Sequence, residues 1–196
     1  MGPERSAVAA ASLQRGGIRA LVNWGCAAAL SPELSPGRLL LPRSFILPDR
    51  SEVSCDSVWW HRLADRLADL APVTAPVVAN ETVLATPAAK RTLHRETGAP
   101  AADMESAFLA HWCLRQGIPF VAVRAVADDA GAAIPAAVLA AADPDGGIDP
   151  LKLILQLLRH PRQIGSLWRL GHQFRRARDT LTTAAARLLP ETFLMP

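Results

Sequence analysis

The sequence has no tyrosine, three cysteines, and few aromatic residues of any kind. It has no apolar run near the roughly 18 residues that a membrane span needs. Cys26, Cys55 and Cys113 are odd in number and show no CxxC spacing. That argues against a disulfide framework and for a reducing compartment. No basic flank followed by an apolar core opens the chain, so no signal peptide is expected. "MGPERS" fits the myristoylation pattern in its letters alone. The formal charge of +3 is mild. Residues 1–150 hold no zinc finger, stacking-aromatic motif or Lys/Arg run, so nucleic acid is not an expected partner. The expected location is the cytoplasm.

What is present is a globular composition. Half of the 196 residues are hydrophobic and a fifth are charged, enough for a real core. Residues 4–15 are Ala-rich and helical in propensity, closed by Gly16-Gly17. "IRALVNWG" (18–25) reads as a buried strand stopping at a glycine. After Pro-Gly punctuation comes the strand "RLLLP". Residues 57–69 repeat apolar positions at helical spacing, with Ser57 as N-cap. "APVVAN" (75–80) is a strand. Residues 86–98 form a helix with Thr86 as cap, Pro87 at the first position and Gly98 past its end. Residues 104–116 are helical up to Gly117. "IPFVAVRAVAD" (118–128) is a strand of nearly continuous apolar character, as in a sheet covered on both faces. Residues 135–143 are helical. This alternation predicts a layered α/β domain. The last 50 residues are helical, leucine-rich and basic, with a break near His160-Pro161. They read as a covering helix pair or as a surface for anionic membrane through 151–178.

In α/β sheets, ligands gather at the carboxyl ends of strands. Three such ends carry unusual residues: the small residues of "NWGCAAAL", the run Asn80-Glu81-Thr82, and Asp128. Glu105 adds a carboxylate in the first turn of the helix that precedes the Asp128 strand. Each acid also has a plain structural explanation. Glu105 suits a helix dipole, Asp128 and Asp129 suit a turn, and Asp103 suits an N-cap.

Two blocks, "NWGCAAALSPELSPGRLLLP" and "ADMESAFLAHWCLRQGIPFVAVRAVAD", occur in order and at a sensible separation. Together they resemble the signature of the purine nucleoside phosphorylase and methylthioadenosine/adenosylhomocysteine nucleosidase superfamily, over about residues 2–142. The resemblance implies a three-layer α/β/α fold with a central mixed sheet over residues 1–142, and a helical extension over 143–196. It implies that Glu105 binds the ribose 2′ and 3′ hydroxyls and stabilises the ribosyl cation, that Met104 packs on the sugar, and that Asp128 is the general acid toward the purine. Ala27 and Ala28 would present backbone to the nucleoside, and Val83 and Leu84 would lie beside the base. No metal or organic cofactor is implied; phosphate enters only as the alternative to water as acceptor. Homo-oligomers are common in the superfamily.

Three departures accompany the likeness. The family's Gly-Gly is Ala28-Ala29, which crowds the backbone. The Ser usual before the final acid is Ala127. And the pattern begins about 40 residues in, so the first strands, the early acid that activates water, and the early glycine and arginine that bind phosphate are not expected within the chain. Within the superfamily, "VLATPAAKRTLHRETGAPAADMES" and the basic tail most resemble the hopanoid-associated phosphorylase branch. That likeness implies release of adenine from adenosylhopane, a lipid-linked nucleoside, at the inner membrane face. A methylthioadenosine/adenosylhomocysteine nucleosidase and a catalytically inactive paralogue that binds a membrane surface or partner are the alternatives.

Overall fold

The computed structural model describes residues 16–142 and 149–188, with Ser12 and Gly147. The helix expected over 4–15 lies outside the described residues apart from Ser12. Gly16 N–H donates to the Ser12 carbonyl at 3.1 Å. Gly17 follows at φ +63°, a left-handed geometry that glycine adopts without a steric cost.

Among the described residues the sheet has seven strands: β1 Leu21–Ala29, β2 Leu39–Leu40, β3 Ser44–Ile46, β4 Glu52–Ser54, β5 Val77–Ala79, β6 Ala101–Asp103 and β7 Phe120–Asp128. Their spatial order is β2-β7-β1-β6-β5-β3-β4. The sheet is mixed: β1 runs parallel to β7, β5 to β6 and β3 to β5, whereas β6 is antiparallel to β1. β1 does not stop at Gly25. Its long parallel ladder with β7 carries it to Ala29, so tertiary pairing overrides the local glycine signal. β3, β4 and β6 each span three residues, too short to leave a periodic trace.

Among the described residues, the helices are α1 Ser57–Arg66, α2 Pro87–Thr97, α3 Ser106–Gln116, α4 Ala136–Ala141, α5 Pro150–Arg159 and α6 Ile164–Arg187. α1 is capped by Asp56 rather than Ser57, the Asp56 carboxylate accepting from Trp59 N–H. Its buried face of Trp59, Trp60 and Leu63 enters the core. α2 has the expected ends, with the Thr86 hydroxyl accepting from Ala89 N–H, Pro87 in the first turn and Gly98 in the left-handed region. α3 packs against β1, β3, β4, β5 and β7, and α6 against β7 and β2. The result is a three-layer α/β architecture.

α5 ends at Arg159, just before the expected break: Pro161 has no N–H to donate, and His160 leaves helical geometry at φ −132° and ψ 66°. The second half of α6 returns to the core. Ala177, Leu181, Ala184 and Leu188 form a buried stripe at helical spacing, and the Thr180 hydroxyl donates to the Gly37 carbonyl at 2.7 Å. Cys55 and Cys113 are buried free thiols. Burial pushes each up to about 12, so neither is a nucleophile near neutrality.

Candidate active site

Sheet register brings the candidate residues to one level. Ala28 on β1 sits opposite Asp128 on β7, after a register shift at Ala27/Ala28, and opposite Ala102 on β6. Asp103, the last residue of β6, pairs with Ala79, the last of β5. The chain then turns through Met104 and Glu105 into α3. Four segments therefore end around one space: 26–28, 80–84, 102–105 and 127–134.

That space is a pocket of about 250 Å³. Glu105, Asp128, Met104, Ala27, Ala28, Val83 and Leu84 all line it, so the seven residues to which the family resemblance gives roles are brought together. Asn80 and Thr82 line it as well; Glu81 does not. The walls are mainly apolar, with Cys26, Ala102, Ala127 and Ile134 among them, and Asp103 also reaches the lining. Neither Ala28 nor Ala29 has a positive φ, so alanine occupies these positions without backbone strain.

Both carboxyls are tuned by this setting. Burial raises the pKa of Glu105, the nearby Asp103 charge adds to the effect, and Arg124 opposes it. Glu105 lies just before α3 at φ −126° and ψ −38°, and its side chain makes no capping bond. The carboxylate is thus uncommitted to the helix end, contrary to the expected first-turn placement. Burial also raises the pKa of Asp128. A hydrogen bond and the charge of Lys90 oppose the rise, and Asp129 adds to it, with burial prevailing. A carboxyl of this kind can hold a proton closer to neutrality than an exposed one and deliver it to a bound group.

The partner of Asp128 is a residue that the sequence did not flag. Lys90, on α2, is fully buried. Its ammonium is bonded to Asp128 Oδ2, and it also donates to the carbonyls of Asp129 at 2.7 Å and Ala132 at 3.2 Å. Ala127 offers Asp128 no hydroxyl, and the side chain bonded to this carboxylate is that of Lys90, from a different element. Nothing local marks it: Lys90 stands in a mixed polar and Ala-rich helix, and its partner lies on a distant strand.

Behind Glu105 is a second polar group. Asp103 is buried and does more than cap. It accepts from Ser106 N–H at 3.0 Å and from the Ser106 hydroxyl, and it pairs with Arg124 Nε at 2.9 Å. Arg124 Nη2 reaches Ser106 Oγ at 2.8 Å, and Asn23 Nδ2 reaches it at 3.2 Å. Arg124 is only 4% exposed. A buried guanidinium held by a carboxylate and a hydroxyl fixes the turn that presents Met104 and Glu105.

The sequence profile of the phosphorylase superfamily matches residues 1–149. The chain belongs to the phosphorylase superfamily. Solved structures agree at the level of fold. S-adenosylhomocysteine nucleosidase from Streptococcus pyogenes, in complex with 5-methylthiotubericidin, superposes with TM-score 0.65 at 18% identity, covering 96% of this chain and 76% of that one. Helicobacter pylori 5′-methylthioadenosine/S-adenosylhomocysteine nucleosidase gives TM-score 0.65 at 14% identity, covering 94% and 75%. A mutant of futalosine hydrolase from H. pylori gives TM-score 0.57 at 17% identity over 64% of this chain. The matched region spans 66% of that hydrolase's length. Comparison with individually curated proteins gives no significant match. These solved structures share the fold of this chain, whose pocket lies where its own strand ends converge.

Proposed function

We propose that this protein cleaves the N-glycosidic bond of an adenosyl compound and releases adenine. One observation carries the reading: Glu105 and Asp128, from opposite ends of one helix–strand unit, converge on an apolar pocket. Glu105 accepts hydrogen bonds from the ribose 2′ and 3′ hydroxyls, and its charge stabilises the oxocarbenium-like sugar as the bond opens. Asp128 gives its proton to the purine N7, and the electron pair of the glycosidic bond leaves with the base. The carboxylate left on Asp128 is then stabilised by the Lys90 ammonium. Water or phosphate completes the reaction at the sugar.

For the substrate we favour adenosylhopane, on the sequence likeness of residues 83–106 and 137–171 to the hopanoid-associated branch. The nucleosidases named above support a second reading, in which a methylthio- or homocysteinyl-adenosine fills the pocket.

Adenine release from adenosylhopane and from methylthioadenosine, followed in parallel with and without phosphate, separates these readings. Glu105→Gln and Asp128→Asn are each expected to lower the rate by about 10²–10⁴. Unchanged turnover in both variants overturns the site. No adenine from either substrate, by a protein that folds, leaves the non-catalytic reading standing. A sugar phosphate as product identifies phosphate as the acceptor.

A further inference from the structure

α5 is a helix with no buried residue. Leu151, Ile154, Leu155 and Leu158 recur at i, i+3, i+4 and i+7, so they share one face, and all are exposed, Leu158 by 74%. Ile164 and Trp168, one turn apart at the start of α6, continue the exposure, with Trp168 at 72%. Isolated exposed apolar residues need no explanation, but a run of this size along consecutive helices marks an interaction surface.

Charge says what the surface meets. Residues 150–178 carry seven Lys and Arg and no Asp or Glu. Against +3 for the whole chain, that +7 leaves −4 for the remainder. The basic groups are set among the apolar ones, with Lys152, Arg159, Arg162, Arg169 and Arg175 all exposed. A nucleic-acid surface would need the charge but not four aliphatic side chains on one helix face. A protein groove would need the aliphatic face but not the single-sign charge. An anionic bilayer takes both: the aliphatic groups enter the acyl boundary and the cations meet the headgroups. Among the described residues no helix is long and apolar enough to cross a membrane, so the contact lies along the surface.

The patch is also tied to the pocket. Ile134 lines the pocket and donates its N–H to the Ala85 carbonyl at 2.9 Å. α4 begins two residues later. Its Ala137 N–H donates to Gln163 Oε1 at 2.9 Å, beside the α5–α6 break, and α4 packs against α5.

We infer that residues 150–178 form a docking surface for anionic lipid that seats the protein on a membrane with its pocket close to the bilayer. This inference stands apart from the reaction proposed above, since docking needs no turnover.

The test is co-sedimentation of the full chain with vesicles of phosphatidylcholine alone or with added phosphatidylglycerol, at low and high salt. Trp168 is followed by quenching with brominated lipid. Binding is expected only to the anionic vesicles, with weakening in salt and Trp168 quenching. Each basic side chain near such a surface contributes about fivefold to partitioning. Arg162→Gln with Arg169→Gln should therefore lower it by roughly 25-fold if the two act additively. Ile154→Gln with Leu158→Gln, a neutral pair on the exposed face, should abolish quenching while circular dichroism is unchanged. Glu105→Gln should leave docking intact, which separates failure of this surface from failure of the active site. The inference is overturned if anionic vesicles do not bind. It is overturned too if binding survives the Ile154/Leu158 pair, which would mark a purely electrostatic surface such as one for nucleic acid, or if that pair instead dissolves a dimer in size exclusion.

Discussion

Replacing Lys90 by methionine isolates the least expected part of the site. The substitution keeps the length of the side chain and removes the ammonium, leaving the Asp128 carboxylate and the carbonyls of Asp129 and Ala132 without it. Lys90 is fully buried and the Asp128 side chain is 10% exposed, so water replaces little of what is lost. Removing one member of a buried pair costs about 3–5 kcal/mol, and that is the expected loss at alkaline pH, where Asp128 would otherwise be charged. The loss must depend on pH. Lys90 lowers the Asp128 pKa and burial raises it from the ordinary 3.8. Without Lys90 the folded-state value rises further above the unfolded one. The folded form then binds its proton more tightly, so stability is retained at acid pH and falls as pH climbs through the raised value. At acid pH only the unsatisfied carbonyls remain, a cost of about 1–3 kcal/mol. Urea melts of Lys90→Met, Asp128→Asn and the double variant across pH measure this. Additive losses in the cycle, or a Lys90→Met loss that is flat with pH, would refute the pairing.

The other predictions concern the supports of the site. Gly25→Ala would set a Cβ against the Arg124 guanidinium, so this buried partner of Asp103 must shift; slower adenine release and a lower melting temperature are expected, and an unaffected rate would mean that the Asp103–Ser106–Arg124 group does not position Glu105. Phe45 is fully buried and meets Phe120 edge-to-face at 5.9 Å; Phe45→Ala should cost about 3–5 kcal/mol in a denaturant melt. With its acid protonated in the active form, the enzyme should lose kcat/KM on the alkaline side, and in Lys90→Met that limb should move to higher pH, checked by pH–rate profiles of both proteins.

The legible parts of this fold were those with signals inside a few residues. α2 was readable because Thr86, Pro87 and Gly98 mark its ends by their own chemistry. β7 was readable because a nine-residue segment of nearly continuous apolar character needs two covered faces. Where a partner elsewhere in the chain decides the outcome, the reading failed. Gly25 looks like a stop, but β7 holds β1 straight through it. Asp103 looks like a cap because the cap is local and Arg124 is not. β6 is invisible because Ala-Ala-Asp has no pattern until β1 and β5 flank it. The site followed the same rule: two motif blocks carried Glu105 and Asp128, whereas Lys90 has no motif and emerges only when α2 is laid against the end of β7.

The long ladder between β1 and β7 also sets a timetable for the chain's birth. Leu21 pairs with Phe120, so at about 5–20 residues per second β1 leaves the ribosome roughly 5–20 s before its main partner is made. Through that interval "LVNWGCAAA" is an apolar strand with that edge unoccupied. An exposed apolar edge of this kind is one that a holdase chaperone would be expected to bind.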